Sequence, residues 1–156
     1  MIFSIEGLLI EVAPLKAIID VNGIGYEVHI PITTTERLPT TGQKVKFFTL
    51  VVYREDSQTI YGFITREDRD FFKLLVEKVS GIGPRIALNI FSKLSTDLLK
   101  STIANGDINF LTKCPGIGKK TAERIIIELR DKIMPNKIDL PEITTSDRTK
   151  FQDAIA

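Results

Sequence analysis

Apolar side chains at Ile24, Tyr26, Val28 and Ile30 alternate with Gly25, Glu27 and His29, the period of a half-buried β-strand. Ile2–Val12 and Ala17–Val21 before this segment, and Val45–Tyr53 and Thr59–Ile64 after it, are rich in β-branched and aromatic residues. Asn22-Gly23 is a strong hairpin signal, and the last two strands flank the polar stretch "REDSQ". Five short strands without a helical stretch of any length predict a small barrel over residues 1–64, with an OB-fold the best-fitting kind.

From Asp68 the period changes. Phe71, Phe72, Leu75, Val76 and Val79 recur at helical spacing, and further helices are expected over 84–94, over 96–105 after Ser95, briefly after Asp107, and over 119–133. Pro135 ends the last one. "PNKIDLPEITTSDR" (135–148) reads as a linker, and "TKFQDAIA" (149–156) as the first turns of another helix. The chain is therefore read as α+β and multidomain: a barrel over 1–64, then an all-α unit over 65–134.

That helical unit repeats itself at an offset of 35 residues. "SGIGPRIALNIFSKL" (80–94) aligns with "PGIGKKTAERIIIEL" (115–129) through Gly81/Gly116, Ile82/Ile117, Gly83/Gly118, Ala87/Ala122, Ile90/Ile125 and Leu94/Leu129. Each copy is a short helix, a Gly-Ile-Gly hairpin and a second helix, with a small residue where the helices cross. Glycines at a helix start let backbone N–H groups converge on a phosphate oxygen. Arg85, Lys119 and Lys120 add charge-assisted contacts. Such contacts read no bases, so recognition is expected to be backbone-directed and sensitive to salt. A plain αα-hairpin with a glycine turn is the competing reading for one copy; two matched copies, both followed by basic residues, favour the clamps. The third Gly-Ile-Gly, Gly23-Ile24-Gly25, lies in a hairpin with no helix start after it and is not a clamp.

Charge supports this placement. Residues 1–64 hold five Lys/Arg and seven Asp/Glu, whereas residues 65–134 hold thirteen and nine, so the positive balance sits with the two clamps. The lone Cys114 cannot form an internal disulfide and falls on an apolar repeat position, which fits a small buried hydrophobe and a reducing, cytoplasmic setting. No apolar run is long enough to span a membrane, and Glu6 and Glu11 argue against a signal peptide.

Two nucleotide motifs fail on spacing. "GIGKKT" is similar to a P-loop, but Lys113 stands where its first glycine is required; a dinucleotide fingerprint would need glycine at Ile86 or Thr121. His29, the only histidine, is expected on the polar side of its strand, and Glu67, Asp68 and Asp70 complement a helix dipole. No catalytic constellation, metal site or cofactor is expected.

The barrel followed by "VSGIGPRIAL" and "CPGIGKKTAERI", together with "IGYEVHIP" (24–31) and "REDSQTIYGF" (54–63), resembles the RuvA family of bacterial Holliday junction branch-migration subunits over about residues 1–134. The resemblance implies an OB-fold and a tandem helix-hairpin-helix domain. It also implies homotetramers, or octamers on DNA, that hold a four-way junction open and square-planar. The family docks the hexameric ATPase RuvB and associates with the resolvase RuvC. By resemblance, Gly81, Gly83 and Arg85 form a first phosphate clamp, and Gly116, Gly118, Lys119 and Lys120 a second. Glu55 and Asp56 match an acidic pin at the junction centre. The family's third helical domain, which contacts RuvB, would begin at about residue 149. Two rivals are a general helix-hairpin-helix DNA-binding module without junction preference, and a DNA glycosylase. The barrel argues against the first; the lack of a suitably placed Asp after either hairpin argues against the second.

Overall fold

The computed structural model describes residues 1–133; the expected linker at 135–148 and helix start at 149–156 lie outside the described residues. Five strands, β1 (Ser4–Ala13), β2 (Lys16–Val21), β3 (Ile24–His29), β4 (Lys44–Tyr53) and β5 (Gln58–Phe63), close into a barrel in the order β1-β2-β3-β5-β4. All neighbours are antiparallel except β3 and β5. This is the expected OB-type barrel.

Alternation explains the interior. Ile5, Leu9, Ile19, Val28 and Phe47 point inward and are buried. A register shift between Leu9 and Glu11 bends β1 so that it pairs with β2 on one side and β4 on the other. At closure, Gly62 is required by contact: a Cβ there would overlap Val28 and lie 3.2 Å from the Phe47 side chain. The β2–β3 turn places Asn22 at φ 52° and Gly23 at φ 91°, the left-handed pair that a tight hairpin needs, and Gly23 N–H donates to Asp20 Oδ1 at 2.8 Å.

One element was not expected. A single helical turn, α1 (Ile32–Thr35), follows β3 and packs on the helical unit. The Ile32 N–H donates to Ser92 Oγ at 3.0 Å, and Thr33 Oγ1 donates to the Phe91 carbonyl at 2.8 Å. Four residues are too few to show a helical period, and the partners that hold them lie nearly sixty residues away.

The helical unit comprises α2 (Arg66–Lys78), α3 (Pro84–Lys93), α4 (Thr96–Ala104), α5 (Ile108–Thr112) and α6 (Lys119–Ile133). Thr65, Ser95 and Asp107 cap α2, α4 and α5 by accepting from the N–H groups of Asp68, Leu98 and Phe110. The repeat positions form the core: Ala87 and Ala122, and Ile90 and Ile125, are fully buried.

Barrel and helices share apolar surface. Leu50 and Phe63 of the barrel belong to the helical core, and the Phe63 ring packs tilted against Phe72 at 4.8 Å, which lies 5.4 Å from Tyr61. Arg69, buried on α2, donates from Nε to the Thr49 carbonyl of β4 at 2.8 Å and lies 4.9 Å over the Phe3 ring. Such a seam, combining aromatic packing with a satisfied buried cation, fixes one unit on the other.

Candidate nucleic-acid interface

The two hairpins share the torsion of their first glycine and the same backbone hydrogen bonds. Gly81 and Gly116 adopt φ 92° and 87°, a left-handed turn that L side chains avoid. Ile82 and Ile117, the residues between the glycines, are buried in the core and donate N–H bonds to Val79 and Cys114 at 3.3 and 3.1 Å. Gly83 and Gly118 then start α3 and α6, accepting from the N–H groups of Ala87 and Ala122 at 3.0 and 2.9 Å.

The second glycine of each pair has a different reason to be glycine. Gly83 is extended, at φ −92° and ψ 178°, a conformation open to any residue, and Gly118 is not left-handed either. A Cβ at Gly83 or Gly118 would meet nothing within 4 Å. Neither torsion nor internal packing asks for glycine at these points. What its absence of a side chain does is leave the helix N-terminal amides open to an approaching group.

Electrostatics point the same way. The helices α2 and α4 carry acids in their first turns, Glu67 and Asp68 in one and Asp97 in the other, which complement the helix dipole. The hairpin helices α3 and α6 carry none. They present exposed Arg85, and exposed Lys119 and Lys120, at the positive end of the dipole. Cations there disfavour the free helix by about 0.3–1 kcal/mol each. An anion bound at the N-terminus reverses that sign.

The hairpins are also gauged against each other. Arg124 of α6 lies 3.5 Å from the Ser80 carbonyl of the first hairpin, and a Cβ on Gly116 would lie 3.4 Å from Ile86 of α3. Both contacts cross from one copy to the other. Arg124 is exposed and basic, a residue of this surface that the repeat alignment does not reveal, because its counterpart in the first copy is Asn89.

Glu55 and Asp56 occupy the exposed tip of the β4–β5 hairpin, closed by the Arg54 N–H donating to the Ser57 carbonyl at 2.8 Å. Neither forms an ion pair among the described residues. His29 is half-exposed on the barrel surface, with Nε2 3.5 Å from Glu27 Oε1, as expected of a surface histidine. Cys114 is a buried free thiol just before the second hairpin; desolvation pushes its pKa up, partly offset by Lys93. Among the described residues no helix is long and apolar enough to cross a membrane.

Residues 1–62 match the family described as RuvA N terminal domain, and residues 72–131 match the SAM-like helix-hairpin-helix tandem. A protein of Opitutus terrae is 59% identical over 133 residues, covering 85% of this chain and 66% of its own length. One of Pseudomonas fluorescens is 43% identical over 153 residues, covering 90% of this chain and 75% of its own. A Marinomonas protein is 50% identical over 133 residues, covering 85% and 66%. Each carries the name Holliday junction branch migration complex subunit RuvA. The chain spans about two thirds to three quarters of the length of these relatives.

Proposed function

The chain belongs to the RuvA family, and from that premise we propose that it binds four-way DNA junctions, holds them open, and presents them to a RuvB-type ATPase for branch migration in recombination and repair. Chemistry on ATP would reside in that partner, and this chain acts as a DNA-binding subunit. The observation that carries the reading is the pair of hairpin helices that begin with unneeded glycine and uncompensated cations. Gly81, Gly83 and Arg85 would hold one phosphate and Gly116, Gly118, Lys119 and Lys120 a second, which is the spacing device of a duplex-backbone reader and not a sequence reader.

Glu55 and Asp56 would stand at the junction centre. Homotetramerisation, octamer formation on DNA and association with RuvC belong to the same proposal, since a four-armed substrate is matched by fourfold repetition of one clamp set. The test is competition between a synthetic four-way junction and a duplex of the same arm sequence, with solution mass measured alongside. Preferred junction binding with a tetrameric mass supports the reading. Equal affinity for junction and duplex would instead favour a general helix-hairpin-helix module, and release of bases from damaged duplex would favour a glycosylase.

A further inference from the structure

A cation of the second hairpin reaches across to the first. Arg124 is carried by α6, yet its Nη1 donates to the Ser80 carbonyl of the first hairpin at 3.5 Å. The same nitrogen lies 3.7 Å from the point where a Cβ on Gly81 would stand, so the bare turn gives the guanidinium room to rest against it. The ordinary helical partner of Arg124 would be Glu128, one turn further along α6. Such a pair does form in α2, between Arg66 and Asp70. Arg124 forms none: no carboxylate lies within 4.0 Å of it among the described residues.

A contact of 3.5 Å is at the outer limit of a hydrogen bond, and it is the only one Arg124 makes among the described residues. A guanidinium carries several N–H donors in a rigid fork, so most of those on Arg124 have no protein acceptor. The hairpin helices are also unequal in charge. α6 opens with Lys119 and Lys120, whereas α3 opens with Pro84 and carries Arg85 alone in its first turn. With Arg124 resting on it, the first hairpin has a second cation too. Nothing charged passes the other way, because the position that matches Arg124 in the first copy is Asn89.

We propose that Arg124 is a ligand of the DNA phosphate held at the first hairpin, supplied by the helix of the second, so that one side chain joins the two clamps. The proposal rests on the phosphate-clamp reading above. In the free protein the Ser80 carbonyl parks the guanidinium beside the turn, and an anionic phosphate oxygen outcompetes that neutral acceptor. The reach of α6 to the first hairpin is fixed by packing, since a Cβ on Gly116 would stand 3.4 Å from Ile86 of α3.

Residues 1–156 carrying Arg124→Ala, alone and combined with Gly83→Thr or with Gly118→Thr, are titrated against a four-way junction and against duplex over a range of salt. Arg124→Ala should weaken binding to both by about tenfold, the loss of one charge-assisted contact to the backbone. The slope of log affinity against log salt should fall by about 0.9 per chain, and Arg124→Lys should restore it. A residue that only braced the hairpins would lower affinity at an unchanged slope, and that result overturns the proposal. The combined variants assign the phosphate. Arg124→Ala should cost less on the Gly83→Thr background, where the first phosphate is already loosened, than on the Gly118→Thr background. An equal cost on both, or a smaller one on Gly118→Thr, overturns the assignment to the first hairpin, as does parental affinity in Arg124→Ala. If Gly83→Thr and Gly118→Thr alone bind like the parent, the clamp reading fails first and this proposal falls with it, an outcome visible without Arg124→Ala. Arg124 is exposed, so its variants should melt like the parent. Should Arg124→Ala melt early, Arg124→Gln keeps most of the stem and carries the same test.

Discussion

Arg69 Nε of α2 donates to the Thr49 carbonyl of β4 at 2.8 Å, and this bond joins the two halves of the chain inside a buried seam. The same guanidinium reaches Asp70 Oδ1 at 3.0 Å and covers the Phe3 ring. Replacing Arg69 by Met keeps the apolar stem but leaves the Thr49 carbonyl without that donor, so stability should fall by about 2–3 kcal/mol in urea denaturation. A loss below ~0.5 kcal/mol, the range of ordinary surface changes, would mean the bond is not a seam contact of consequence.

The two glycines of each hairpin should separate stability from binding. Gly81→Ala and Gly116→Ala force a side chain into a left-handed turn, and each should lower stability by about 1–2 kcal/mol. Gly83→Thr and Gly118→Thr meet open space, and threonine starts helices about as well as glycine. Those two variants should melt like the parent yet bind junctions more weakly, as read by paired thermal melts and anisotropy titrations. Unchanged binding in both would remove the phosphate assignment from the second glycine.

Lys119 and Lys120 sit against the helix dipole of α6, so replacing both by Ala should have opposite effects on folding and binding. Stability should rise slightly, by about 0.3–1 kcal/mol per cation removed, because a repulsion at the positive helix end disappears. Junction affinity should drop, with a shallower salt dependence and no change in sequence preference. Parental affinity and salt slope would exclude these lysines from the interface.

At the tip of the β4–β5 hairpin the expected sign is reversed. Carboxylates within about 8–10 Å of phosphates repel them even at physiological salt. Glu55→Ala with Asp56→Ala should therefore bind junctions as tightly as the parent or tighter, gain more on plain duplex, and discriminate less between them. A loss of junction affinity at unchanged folding would show that these acids make attractive contacts.

Burial raises the pKa of the Cys114 thiol and the Tyr61 phenol above their ordinary values of 9.0 and 10.0. Both groups are neutral when protonated, so their stabilising burial is fully present below those values. It is lost as pH rises through the higher folded-state pKa values, when charge must be placed in an apolar setting. Stability should therefore be flat in these two groups up to about pH 9 and decline above it. Alkylation of Cys114 at pH 8 should be slow in the native protein and fast in urea; rapid native alkylation would contradict the burial.

Local pattern was enough for much of this protein. Alternation fixed the faces of β3, three-to-four spacing marked α2, and Ser95 and Asp107 announced the starts of α4 and α5, because each signal acts over a few residues of chain. The repeat was legible for the same reason: matched positions such as Ala87 and Ala122 share one packing role, so selection of residue type is written twice. Other features depend on parts of the chain that sequence proximity does not connect. The turn α1 is held by Ser92 and Phe91, the Arg69 seam by a β4 carbonyl, and Arg124 by a hairpin in the other copy. That Gly81 and Gly116 need their torsion, while Gly83 and Gly118 need only to be bare, also could not be read from four identical letters. Composition placed positive charge near the clamps, but only the folded arrangement brings Arg124 of one hairpin copy to the Ser80 carbonyl of the other. Sequence sets which surfaces are apolar, turning or charged; closure of the barrel onto the helices decides which of them meet, since contact energy falls off within a few ångströms and ignores distance along the chain.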